Sequence, residues 1–176
     1  MKWLASILPT LAVVASVSAV AAPAGPARDS AGQAVSLFMR SCVRFPADRS
    51  ALQAWIRQAG YPEVPADHAD EFLNGLPGAA YDASGGSLSL VIVSQDSGSC
   101  SVVADRASGP SLVQELDRSL HAANITFTAT DDPPDPQTAD LNNREYTVPA
   151  QDGAWHMLVS TAKDPAGGAA LLTTNP

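Results

Sequence analysis

Apolar residues recur at helical spacing between residues 30 and 75 and alternate at strand spacing through much of the rest of the chain. Ser30 is placed to cap a first helix, with Gln33 three residues on completing a capping box. Val35, Phe38, Met39 and Cys42 then form one apolar stripe, and Pro46 ends the element. Asp48 reads as the next N-cap; Leu52, Trp55, Ile56 and Ala59 repeat the spacing before Gly60 and Pro62 stop it. A short third helix is expected from Asp67 to Asn74, with Phe72 and Leu73 inside and Gly75, Pro77 and Gly78 closing it.

The period then changes to two. Ala79–Ala83 reads as a short strand, followed by a turn at Ser84-Gly85-Gly86. In Ser87–Ser94, Leu88, Leu90 and Ile92 make one apolar face, and Val91 and Val93 turn the other face apolar midway. Gln95-Asp96-Ser97-Gly98 has hairpin-turn chemistry and leads into the alternation of Cys100, Val102 and Ala104. Gly109-Pro110-Ser111 opens a mid-chain helix with Val113, Leu116 and Leu120 inward, broken at Asn124. Ile125, Phe127 and Ala129 alternate with threonines in a strand with one wet side. Further strands are expected near Arg144–Val148, Trp155–Thr161 and Ala169–Thr173. Short turns between neighbours require antiparallel pairing, because parallel neighbours need long crossovers. The expected fold is therefore α+β: a single domain with one antiparallel sheet of about six strands, and the N-terminal helices and the mid-chain helix packed on one face.

Residues 1–21 read as a signal peptide, with Lys2 as the basic start, Leu4–Val20 as the apolar core and Ala19-Val20-Ala21 as the cleavage site. Residues 22–29 read as a disordered lead-in, and residues 30–176 as the domain. Removing 21 of the 176 residues leaves 155, carrying nine Lys and Arg against 18 Asp and Glu. Such acidity argues against nucleic-acid or anionic-membrane partners, and no later stretch is long and apolar enough to span a bilayer. Export places Cys42 and Cys100 in an oxidising compartment, where the even pair is expected to join. A bridge over 58 positions would stabilise the fold by roughly 4 kcal/mol in the chain-entropy model.

Candidate chemistry is sparse. His68 sits among Asp67, Asp70 and Glu71, which suits a metal site only if the ligands converge; a solvated acidic helix start explains the same residues. Asp131, Asp132 and Asp135 lie in an acidic, proline-rich loop that lacks calcium-loop spacing. His121 falls at a helix C-terminal end, and His156 on a strand beside Trp155. Gly85-Gly86 and Gly167-Gly168 read as turns, since no lysine or helix start follows them as in a phosphate cradle. No Gly-x-Ser-x-Gly elbow is present, and Asn124-Ile125-Thr126 matches a glycosylation acceptor. No catalytic, cofactor or metal residue is assigned on this reading.

Phe38-x3-Cys42, Leu52-x2-Trp55, Gly60-Tyr61-Pro62, Phe72-Leu73-x-Gly75 and Gly98-Ser99-Cys100-Ser101-Val102 occur in that order, followed by Tyr146, Leu158-Val159-Ser160 and Ala170-Leu171-Leu172-Thr173. The ordered set resembles the NMCC-type family of small exported proteobacterial proteins, over residues 34–173. The resemblance implies a signal peptide, a periplasmic location and a paired Cys42 and Cys100, and it implies no activity. The loop at 131–140 and the turn from Lys163 to Gly168 depart from the family pattern.

The function expected from these residues is that of a non-enzymatic periplasmic binding or accessory module. It would act through a protein surface on a protein partner, as an inhibitor does, with Trp55 and Trp155 available as anchors. The alternatives are a hydrolase built on His68 or His156 with a nearby Asp, and a carrier holding a small ligand between sheet and helices.

Overall fold

The structure is a computed structural model that describes residues 26–86, 88–131, 140–151, 153–164 and 168–175. The signal peptide, its cleavage site and the lead-in up to residue 25 lie outside the described residues, as do loop residues 132–139. Four helices and seven strands follow in chain order: α1 (Pro26–Arg40), α2 (Arg49–Ala59), α3 (Ala66–Leu73), β1 (Gly78–Asp82), β2 (Leu90–Gln95), β3 (Cys100–Ala104), α4 (Gly109–Ala122), β4 (Thr128–Asp131), β5 (Leu141–Ala150), β6 (Gly153–Ala162) and β7 (Ala170–Asn175).

Local chemistry accounts for the element ends. Helix α1 starts at Pro26, four residues before the expected Ser30 cap, so residues 26–29 are helical rather than lead-in. Proline suits a first helical position, where its missing N–H would have no partner. The Asp48 carboxylate caps α2 by accepting from the Ala51 N–H at 3.0 Å. Hydrogen bonds lower its pKa below the ordinary value, the largest effect coming from that amide and the next from the Ser50 hydroxyl. Gly60, at φ 77°, ends α2 in a left-handed conformation that costs glycine little. The strand expected from Ile125 begins only at Thr128. The Ile125 N–H bonds back to the Leu120 carbonyl at 3.0 Å, and the Phe127 ring turns onto His121.

All strand pairs are antiparallel, in the order β1-β2-β3-β7-β6-β5-β4. The sheet thus has seven strands rather than about six, and β7 sits between β3 and β6 at its centre. One lateral row runs Tyr81, Ile92, Val102, Leu172, Val159, Arg144 and Asp131 across all seven strands. The apolar members of this row join Phe38, Ile56, Leu116 and Leu120 in the main core under α1, α2 and α4.

Among the described residues the opposite face is covered only at one end. There Leu73 of α3 meets Ala80, Val91 and Val93 in a second, smaller cluster. The expectation of helices on one face is corrected for α3: Val91 and Val93 alternate with Leu90 and Ile92, and they need a cover of their own. Gly78 allows this close approach, since a Cβ there would lie 2.6 Å from the Ser94 carbonyl oxygen and 3.0 Å from the Leu73 side chain. Beyond α3 the same face carries Ser101, Thr173, Leu158, Glu145 and Thr130 in one row, a solvated side of the kind antiparallel sheets tolerate.

Cys42 and Cys100 are joined, with their α-carbons 5.3 Å apart. Cys42 lies two residues past the end of α1, so the bridge ties the α1–α2 connector to the start of β3. No helix among the described residues is long and apolar enough to cross a membrane.

Candidate functional site

The connector that follows α1 is built to hold its shape. The Val43 N–H reaches back to the Phe38 carbonyl at 3.1 Å, and the Phe45 N–H to the Ser41 carbonyl at 3.1 Å. The buried Ser41 hydroxyl donates to the Leu37 carbonyl at 2.7 Å, and the disulfide fixes Cys42 beside it. Ala47, at φ 58°, turns the chain into the Asp48 cap.

This rigid turn presents Phe45 to Trp55, with ring centroids 6.3 Å apart. Trp55 in turn meets Tyr61 edge-on at 5.8 Å, and Tyr61 is placed there by its N–H bond to the Ile56 carbonyl just past α2. All three rings are half-buried: they pack on the main core with one side and meet solvent with the other. The Arg44 guanidinium lies over the Phe45 ring at 5.3 Å, within cation–π range. Arg49 on α2 is held by Asp96 at 2.6 Å, and Arg57 is exposed on the same helix. Arg44 and Arg57 make no ion pair among the described residues.

The histidines are scattered. His68 is exposed, 3.7 Å from Asp67 and 3.6 Å from Glu71, on the first turns of α3. Among the described residues no group of three or more His, Cys, Asp and Glu could hold a metal ion. His121 lies 2.6 Å through Nδ1 from the Asp117 carbonyl oxygen and packs edge-on against Phe127. His156, on the solvated sheet face, lies 2.7 Å through Nδ1 from Glu145 and 3.4 Å from the Thr147 hydroxyl. The carboxylate partner expected to be an Asp is thus Glu145. Asp131 is bound to Arg144 at 2.7 Å, while Asp132 and Asp135 lie outside the described residues. Trp155 is half-buried at the margin of the main core, opposite Val148.

Asn124 is exposed at φ 55°, two residues past the end of α4. Gly85 makes an isolated bridge to Leu88, and the Gly168 carbonyl accepts from the Arg106 N–H at 3.0 Å; Gly167 is outside the described residues. A groove of about 470 Å³ lies between α1 and α4, bordered by Gly32, Met39, Glu115 and Ser119. No sheet residue lines it.

One polar network escaped the reading of residues. The buried Tyr146 hydroxyl donates to Asp117 at 2.8 Å, and the Arg144 guanidinium lies over the Tyr146 ring at 5.5 Å. Burial first, and the Asp117 hydrogen bond second, push the Tyr146 hydroxyl pKa far above its ordinary value. The available signal was weak: Arg144 and Tyr146 share a strand face, and Asp117 stands four residues before His121 on α4.

No family model, curated protein or solved structure matches the chain.

Proposed function

We propose that the chain is an exported, non-enzymatic binding module that acts through a protein surface, in the manner of an inhibitor, and that this surface is the one around Trp55. The observation that carries the reading is the linked set Arg44, Phe45, Trp55 and Tyr61: the first two stand on a turn that a disulfide holds rigid, Trp55 on α2 and Tyr61 just past it. Trp, Tyr and Arg are the residues that most often carry binding energy at protein interfaces. Rigidity lowers the entropic cost of ordering such a surface on contact. The signal-peptide reading, the resemblance to exported proteins and the joined cysteines support a periplasmic setting.

The test places a photo-crosslinking residue at the exposed Gln58, one helical turn from Trp55, and at Thr130 on the solvated sheet face as a control. A reproducible adduct from position 58 that Trp55→Ala abolishes is expected. Adducts from position 130 alone would overturn the reading.

A hydrolase remains the second reading, favoured by the 2.7 Å contact between His156 and Glu145. Turnover of an ester, amide or phosphate substrate that His156→Ala abolishes would establish it in place of the first.

A further inference from the structure

Charge is distributed unevenly along the chain. Residues 40–60 hold Arg40, Arg44, Arg49 and Arg57 against the single carboxylate of Asp48, a net charge of +3. Residues 61–176 hold four Lys and Arg against 16 Asp and Glu, a net charge of −12. Of these two stretches the net-positive one is therefore the one that carries Phe45 and Trp55, although Asp96 reaches Arg49 from the sheet.

We infer that the Trp55 surface docks an acidic protein segment, one whose carboxylates pair with Arg44 and Arg57 while an apolar side chain meets Phe45, Trp55 and Tyr61. The inference rests on the surface reading given above and adds the chemical class of its partner. Three features favour this occupant. The planar guanidinium matches a carboxylate with two parallel hydrogen bonds, a geometry a lysine cannot copy. Arg44 is already oriented by its stacking on Phe45, so less freedom is lost on pairing. Arg44 and Arg57 are exposed cations beside the rings of a chain that is acidic in sum, and opposite charge favours approach of an acidic segment to them.

An anionic bilayer fits less well. A flat charged surface would face the acidic remainder of so small a domain together with the arginines. The three rings are packed against the core on one side and cannot insert as free anchors.

The mature protein, oxidised and carrying Trp155→Phe so that Trp55 is its one remaining tryptophan, is titrated with a labelled peptide of repeated Glu-Glu-Leu. The companion probes are a Lys-Lys-Leu peptide and phosphatidylglycerol vesicles. Expected are saturable anisotropy, a change in Trp55 fluorescence and a weakening with added salt, with no response to the basic peptide. Arg44→Glu and Arg57→Glu each lower affinity about tenfold, as for loss of a hydrogen bond to a charged group. Arg44→Lys, which keeps the charge but not the fork, loses part of it; circular dichroism of each variant confirms the fold.

Equal binding of both peptides, affinity unchanged in Arg44→Glu and Arg57→Glu, or a response to vesicles alone would overturn the acidic class. The two levels fail separately. Crosslinks from position 58 to a partner without acidic segments leave the surface and remove the partner class. Acidic-peptide binding that ignores Trp55→Ala removes the surface.

Discussion

Tyr146 is the most consequential single side chain the structure adds. It is fully buried, yet its hydroxyl points at the half-buried Asp117, and Arg144 lies across its ring. A phenol in that position keeps its proton: burial and the carboxylate both raise its pKa. The tyrosine of the unfolded chain ionises near pH 10. The stability Tyr146 contributes is therefore intact below about pH 10 and is lost as pH rises beyond it, because the unfolded chain releases a proton the folded chain retains. Tyr146→Phe is expected to lower stability at pH 7 by about 1 to 2 kcal/mol, since it leaves Asp117 without its donor. Urea midpoints should show the gap between the two proteins narrowing at pH 11. A gap that widened there would mean that Tyr146 ionises readily in the fold.

At the scale of elements, α3 is held by little. Its one fully buried side chain is Leu73, which joins buried Ala80, Val91 and Val93, with Val64, Ala69, Phe72 and Val103 packed half-buried at the rim. Leu73→Ala is expected to cost about 2 to 3 kcal/mol, the low end for a buried leucine, because an edge site can close over the cavity. Hydrogen exchange should speed up in α3 and β1 while α1, α4 and β6 remain protected. Uniform acceleration across the sheet would show that the small cluster is part of one cooperative unit.

Much of this level was legible in the chain. The stripe from Val35 to Cys42, the Asp48 cap and the Gly60 stop all rest on local chemistry and stand where expected. The apolar second face at Val91 and Val93 was visible too, but it marks the seat of α3, which spacing along one segment does not reveal. For the candidate site, Trp55 stood out as an aromatic. Its neighbours did not: Phe45 and Tyr61 come from turns on either side of α2, and only tertiary packing brings them together.

For the molecule as a whole, the place of β7 governs how the fold can form. The segment between β3 and β4, through α4, carries the chain to the far edge of the sheet, and β5 and β6 then return towards the middle. Until residues 170–175 arrive, the β1–β3 sheet and the β4–β6 sheet have no ladder between them. Deletion of these six residues should leave no cooperative unfolding transition by circular dichroism, whereas loss of an edge strand would leave a smaller one. Such long-range pairing is also slow to form. During synthesis the chain thus carries two unjoined groups of strands until this central strand is made. Closure of the sheet into one cooperative unit therefore waits for β7, however early the two flanking groups of strands are made.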